Sequence, residues 1–410
     1  MPVRAEASGE GGRNAAPEHR RGGSQSGMRL YNERLVLSLI RQHGSLPKAG
    51  IARLTGLSAQ TCSVIVKGLE ADGLLKKEKP RRGRIGQPSV PFSLHPEGAY
   101  SIGLKIGRRS ADVLLMNLAG RVLGRQRMTY PYPEPGPVLD FAERGWKTME
   151  AALDTAARER IVGLGVAMPG EIWNWVREVG APAAVLGQWH DVDIATTLAG
   201  LCPWPVLVNN DAAAACAAEL TFGVGGRHRD FLYLFIGSFI GGGIVMDGRL
   251  FTGKSGRAGA IGSMPVPDGG GGTHQLIHCA SIFTLENRCR EAGLDPYRLW
   301  LEEEAWRDFE PLVEAWLDEA AGHIAIALVA ALSVIDLGTV VLDGAFPPFV
   351  RTRLRRKVET AVCAIDRQGL APFDIVEGAI GGDARAMGGA CLPILANFAI
   401  DSELFLKSPA

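Results

Sequence analysis

The chain lacks a net charge: 44 Lys and Arg are balanced by 44 Asp and Glu over 410 residues. Overall charge therefore selects no partner. It also lacks C-x-x-C pairs. Its seven cysteines, at 62, 202, 216, 279, 289, 363 and 391, are odd in number and scattered. This excludes a disulfide framework and fits a reducing cytoplasm. No apolar run reaches the ~18 residues of a membrane-spanning helix, and the start of the chain has no apolar signal-peptide core. No fixed-period repeat marks a solenoid. The expectation is a soluble, cytoplasmic protein, and 46% hydrophobic residues suffice for more than one core.

What is present divides the chain. Residues 1–27 are rich in Gly, Ser, Ala and Arg without hydrophobic periodicity, so a disordered tail is expected. Residues 28–97 read differently. "NERLVLSLIRQHG" places Leu35, Val36, Leu39 and Ile40 at helical spacing. A short helix from Lys48 to Thr55 turns Ile51 and Leu54 inward, Gly56-Leu57 makes a turn, and Ser58 caps a third helix that Gly73 ends. "LLKKEKPRRGRIGQPSVPFSLHP" reads as two strands around a basic turn. Three helices and a basic hairpin describe a winged helix-turn-helix. The neutral chain keeps a basic end here, with roughly a dozen Lys and Arg against four acids.

The third helix would enter the major groove of double-stranded DNA. Gln60, Thr61 and Ser63 near its start are candidates for base edges or phosphates, and Lys67 for a phosphate. Arg81, Arg82 and Arg84 in the wing are candidates for the minor groove or phosphates. The bland alternative for Thr61 and Ser63 is ordinary helix-surface polarity.

From residue 98 the pattern becomes α/β. "YSIGLKIGRRSADVLLMNLAGRVLGRQRM" reads as three β segments, followed by a helix, the buried strand "IVGLGVAMPG", the strand "WPVLVNN" and an Ala-rich helix. A strand pair, "FLYLFIG" and "GGGIVMDG", then precedes a long helix from about Ala305 to Ile335 and the strand "GTVVLDGAF". Two similar halves, each a β-meander followed by helices around its own sheet, fit this order.

"SIGLKIG", "VGLGVAMPG", "VLVNNDAAAACAAE", "GSFIGGGIVMDGRLFTGKSGRAGAIG" and "VVLDGAF", occurring in that order behind a winged helix-turn-helix, resemble the ROK family of repressors, open reading frames and sugar kinases. The resemblance implies an actin-like (ribonuclease-H-like) body of two lobes over 98–410, with a boundary near 209 and a C-terminal helix returning to the first lobe. It implies a sugar in the cleft, ATP beside it in kinase members, and homodimers or homotetramers.

Several of the family's chemical positions are altered. The Asp of the first phosphate turn is Lys105 and its Gly-Thr is Arg108-Arg109; in the second phosphate loop Phe239 replaces a glycine that lets backbone approach phosphate. Phosphoryl transfer needs both elements, so no kinase activity and no nucleotide cofactor are expected. The family's catalytic Asp matches Asp211, which either accepts a hydrogen bond from a ligand hydroxyl or caps the Ala-rich helix. The family's Glu and His are Ala260 and Ser263, and the amide of its Pro-Asn sugar contact is lost in "APAA". Its zinc-binding cysteines are absent; His274, His278 and Cys279 leave no four-ligand set, so no metal is expected. Asn210, Asp211, Gly170, Gly241 and Gly242 are expected to line an effector cleft, where a ligand could stack on Trp189 if that side chain reaches the mouth. A DNA-binding regulator of a carbohydrate operon follows. The alternatives are a kinase with an accessory domain and a DNA-binding protein whose body is only a dimerisation scaffold.

Overall fold

The computed structural model describes residues 25–80 and 89–400. Most of the expected tail, and the wing tip with Arg81, Arg82 and Arg84, lie outside the described residues. The first helix, α1 (Gln25–His43), begins three residues before the expected start. It buries Val36, Leu37 and Ile40, whereas Leu35 and Leu39 remain half-buried. α2 (Lys48–Thr55) buries Ile51 and ends at Gly56 in the left-handed conformation, φ 71°. Leu54, expected inside, is 47% exposed; this eight-residue helix buries one position. Ser58 caps α3 (Ala59–Ala71) by accepting from the Thr61 amide at 3.1 Å. The strands β1 (Leu46–Pro47), β2 (Leu75–Lys77) and β3 (Pro91–Leu94) form an antiparallel sheet in the order β1-β3-β2.

Two five-stranded sheets of like order make the rest. In the first, β4 (Tyr100–Ile106), β5 (Ser110–Asn117) and β6 (Val122–Thr129) form an antiparallel meander. β7 (Ile161–Met168) and β8 (Val206–Asn210) then add in parallel on the β4 side. The helix expected over Pro137–Ala157 is α4 (Pro135–Ala151), followed by a separate turn at Thr155–Arg158. α5 (Asp211–Phe222) leads to the second sheet. There β9 (Phe231–Ile236), β10 (Ile240–Met246) and β11 (Arg249–Phe251) form the meander, and β12 (Thr339–Gly344) and β13 (Asp374–Glu377) add in parallel on the β9 side. The repeated order is that of the two-lobed, ribonuclease-H-like body.

The long helix expected from Ala305 is interrupted at Phe309, and α6 runs from Glu310 to Leu332. Pro311 stands in its first turn, where a missing backbone donor is harmless. By length and hydropathy α6 could cross a bilayer, but its apolar residues, among them Trp316, Ile324 and Leu328, build the core of the second lobe. α7 (Pro348–Cys363) packs beside it.

The last helix, α8 (Ala384–Phe398), returns to the first sheet. Small residues let it lie close. A Cβ on Gly103 of β4 would meet the Ala390 amide at 2.6 Å, and one on Gly165 of β7 would strike the Gly389 carbonyl. A Cβ on Gly388 would collide with the Ala214 carbonyl of α5, so the Ala-rich run and the glycines of α8 serve one close helix crossing. α8 also borders the N-terminal domain. Ala386, Ala390 and Ile394 belong to one continuous core with Leu114 and Met116 of β5 and with Val36, Ile40, Ile51, Val66 and Phe92 of the N-terminal domain. Arg34 reaches the Ala399 carbonyl at 3.2 Å, and the Arg41 guanidinium lies 5.7 Å from the Phe222 ring of α5.

Candidate functional site

Two surfaces hold the residues singled out in the sequence. The first is the outer face of α3. Cys62, Ile65, Val66 and Leu69 point inward, so Gln60, Thr61, Val64 and Lys67 form the exposed face. Ser63 stands apart. It is half-buried and accepts a hydrogen bond from Lys48 at 3.2 Å, tying α3 to α2. Thr61 shares a 2.8 Å hydrogen bond with the capping Ser58 hydroxyl. Val64 was not singled out, yet it is 64% exposed at the centre of the face. The helical period of its buried neighbours was the signal that places it outside.

The second is the end of the first sheet, where residues expected to line a cleft come together. Met168 pairs with Asn210 in register, so Gly170, Asn210 and Asp211 lie at the same end of the first sheet. Gly170 is exposed, with open space where a Cβ would stand. Capping falls to Asn210, whose side chain accepts from the Ala212 and Ala213 amides at 3.0 and 3.4 Å. Asp211 is the first residue of α5, so its carboxylate is released from the expected cap. It accepts from Arg385 of α8 at 3.2 Å, with both side chains nearly buried.

The glycine run belongs to packing rather than to a ligand loop. Gly241, Gly242 and Gly243 pair with Phe235, Leu234 and Tyr233 inside the sheet. A Cβ on Gly241 would meet Ala212 at 2.7 Å, and one on Gly243 would meet Cys216 at 2.6 Å. Gly242 is buried against the Tyr233 and Gly259 carbonyls, which corrects its expected place on the cleft wall. Gly241 stays half-buried beside the start of α5.

The two stretches that the resemblance matches to phosphate elements meet each other. Arg108, in the turn between β4 and β5, sets its guanidinium 3.5 Å from the Phe239 ring centroid and 5.3 Å from that of Trp175. The Trp175 and Phe239 rings are 4.5 Å apart, and Phe283 meets Phe239 edge-on at 5.1 Å. The loop's backbone is engaged as well. The Gly237 amide donates to the Phe239 carbonyl at 3.3 Å and the Ile240 amide to the Ser281 hydroxyl at 2.9 Å. Two donors that could cradle phosphate are thus spent inside the protein.

Cations surround this stack. Burial pulls Arg108 down to about 9, Asp211 opposes that shift and Arg385 adds to it; Arg108 stays charged at neutral pH. Burial, then Arg385, lowers Lys105 to about 8, with Asp112 opposing. Lys105 donates to Asp112 at 3.2 Å and to the Ser110 hydroxyl at 2.7 Å. Asp112 also accepts from Arg125 and Arg127, at 2.9 and 2.6 Å. Burial would raise the Asp112 carboxyl, but Lys105, Arg127 and Arg125 together hold it well below the carboxylate range.

Other expected cleft residues lie elsewhere. Trp189 is 2% exposed in the first-lobe core and donates to the Pro133 carbonyl at 3.0 Å, so it does not reach the mouth. Ala260 and Ser263 line a largely apolar cavity of about 440 Å³ in the second lobe, with Ile244, Met264, Leu332 and Ile335. His274 sits in a strand and His278 in a short helix that begins at Ile277, so their four-residue spacing carries no helical alignment. Arg385, charged in the small-residue run "ARAMGGA", and Arg108, noted as a lost motif, were not recognised as gained cations.

A sequence profile described as the ROK family matches residues 101–395, and one described as the MarR family matches residues 31–85. The xylose repressor of Caldicellulosiruptor bescii is 25% identical over 278 residues, 66% of this chain and 67% of that protein. The crystal structure of a ROK family transcriptional regulator, a homologue of the E. coli MLC protein, superposes with a TM-score of 0.65 at 18% identity. It covers 91% of this chain and 97% of its own. A ROK family glucokinase from Streptomyces griseus, solved with glucose and AMPPNP, superposes with a TM-score of 0.56 at 20% identity, over 72% of this chain and 99% of its own.

Proposed function

The chain belongs to the ROK family, and on that premise we propose that it is a DNA-binding transcriptional repressor whose body senses a sugar or sugar-like molecule and performs no phosphoryl transfer. One observation carries the reading. α8 joins the two regions: Arg385 in its first turn pairs with Asp211 in the cleft, while Ala386, Ala390 and Ile394 share one core with β5 and the N-terminal domain, and Arg34 of α1 donates to the Ala399 carbonyl just past its end. A ligand that repositions Asp211 or Arg385 therefore acts on the element that seats the DNA-binding helices. Similarity to proteins named xylose repressor supports repression and a carbohydrate signal.

In this reading Gln60, Thr61 and Val64 meet base edges. Lys67 and the wing residues Arg81, Arg82 and Arg84 meet phosphates or the minor groove. Val64 suits a thymine methyl group. The protein works in the cytoplasm as a homodimer, because paired recognition helices read paired half-sites. The cleft is not a kinase site: its phosphate elements are stacked on each other through Arg108 and Phe239, and Lys105 stands where the resemblance places an Asp.

The test is selection of duplexes from the genome by the purified full-length protein, followed by anisotropy titrations of an enriched duplex with and without sugars. We expect an enriched duplex, affinity that falls steeply with salt, and release by a ligand of the cleft. Recovery of no enriched duplex refutes the regulator. An enriched duplex indifferent to every ligand leaves the body a dimerisation scaffold.

A further inference from the structure

Among the described residues, the buried side-chain nitrogens without a hydrogen-bond partner include three that gather at the cleft: Arg108 Nε, Arg385 Nε and Trp175 Nε1. Arg108 and Arg385 are each 7% exposed, and they flank one loop. Arg108 stacks on Phe239, and a Cβ on Gly237 would come within 3.3 Å of the Arg385 guanidinium. All three atoms are donors. A buried donor left unmatched is costly, so three in one place mark a site that wants acceptors.

The charge there has the same sense. Arg108 has no carboxylate at ion-pair distance among the described residues, whereas Asp211 is taken by Arg385 and Asp112 is shared by Lys105, Arg125 and Arg127. Asp383 takes the other Arg125 nitrogen near the surface, and Glu178 acts on Arg108 only from beyond that distance. With both counted, the cations still exceed the acids. A neutral sugar brings hydroxyls that donate as much as they accept and leaves this excess unmet. A phosphate or carboxylate brings acceptor oxygens and the missing charge.

We propose that the cleft binds an anionic ligand, a phosphate or carboxylate group on a sugar-sized body, held by Arg108 and Arg385 with the Trp175 indole N–H as a third donor. The proposal rests on the reading of the cleft as the effector site. The ring stack that holds Arg108, unlike an ion pair, leaves its N–H groups unspent for the anion. Asp211 and Arg385 adjust with it, at the start of α8.

Calorimetric titration of the full-length protein tests this with glucose, glucose 6-phosphate, glucuronate and inorganic phosphate. We expect glucose 6-phosphate or glucuronate to bind at least tenfold more tightly than glucose; which of the two does so distinguishes a phosphate from a carboxylate ligand. Arg108→Gln should weaken that binding at least tenfold. Trp175→Phe, which keeps the ring and removes only the donor, should weaken it a few-fold. Glucose binding as tightly as its anionic counterparts, or anion binding unchanged in Arg108→Gln and in Trp175→Phe, overturns the proposal. So does anion binding that is lost instead in Arg82→Ala/Arg84→Ala, because the anion then sits on the DNA-binding domain. Duplex anisotropy separates the two readings. If neutral glucose releases DNA while no anion binds, the regulator stands and the anion site falls. If the anion binds through Arg108 without changing duplex affinity, the site stands and its role as effector site falls.

Discussion

Replacing Asp211 by Asn should destabilise the protein more than replacing its partner Arg385 by Met. The two side chains meet at 3.2 Å and are 12% and 8% exposed, so neither charge is well compensated by water once alone. Asp211→Asn leaves Arg385 buried beside Lys105 and Arg108, which already repel it, with its Nε unpaired. Stranding a buried charge in this way costs about 3–5 kcal/mol. Arg385→Met strands Asp211 instead, but Asp211 occupies the first turn of α5, where the helix dipole supplies about 0.3–1 kcal/mol, and Arg108 remains to attract it. The same substitution removes one repulsive cation and one unpaired donor. Its cost should be about 1–2 kcal/mol, a gap of about 2 kcal/mol between the variants. Equilibrium urea titration followed by far-UV circular dichroism, at low and high salt, measures both. The gap should persist at high salt, because charges this buried are screened little. Equal costs, or a greater cost for Arg385→Met, would refute the view that this cleft carries surplus positive charge.

Lys67→Ala should weaken duplex binding uniformly across sequences and reduce the salt slope by about 1, whereas Gln60→Ala should change the ranking of sites; a competition series over duplex variants reads both. Incubation with ATP, magnesium and a hexose panel should yield no phosphorylated sugar, and Phe239→Gly should not create activity, because Lys105 still occupies the first phosphate turn; any Asp211-dependent product contradicts this. Stability should also fall with rising pH near neutrality. Glu219, 0% exposed, is pushed from 4.5 up to about 7, chiefly by burial and then by Asp343. The native state therefore holds a proton that the unfolded state releases. That stability is complete below about 4.5, is lost as pH rises through about 7, and amounts to about 3 kcal/mol. Denaturation midpoints between pH 5 and 8 should show the slope, and Glu219→Gln should flatten it.

The order of elements was legible because both halves alternate apolar strands with amphipathic helices, a pattern that local sequence carries. The third helix was legible too: Ser58, the inward Ile65, Val66 and Leu69, and the Gly73 stop are local signals. The cleft was read less well, because its character depends on which distant side chains meet. Asp211 lies 174 residues from Arg385, and nothing near either announces the pair. The glycines at 241–243 looked like a phosphate loop in one dimension; in three they make room for Ala212, Cys216 and Gly259. Trp189 looked available to a ligand because an indole on a short loop can face either way, and only the packed first lobe settles its direction. Replaced motif residues were read as losses alone, whereas Lys105 and Arg108 also bring charge.

The residues that α8 gives to the core shared by the first sheet and the N-terminal domain fall every four positions, at Ala386, Ala390 and Ile394. That spacing has a genetic consequence. Lesions that lock a reporter gene off in the presence of inducer, or leave it permanently on, should not scatter over the body. They should fall as a stripe on one side of this helix, and alanines there should tolerate nothing larger. An N-terminal domain transplanted onto a foreign body would lose the core it shares with β5 and α8 and the Arg34 bond to Ala399, so chimeric regulators made by cutting near residue 97 should misfold unless both elements travel with it.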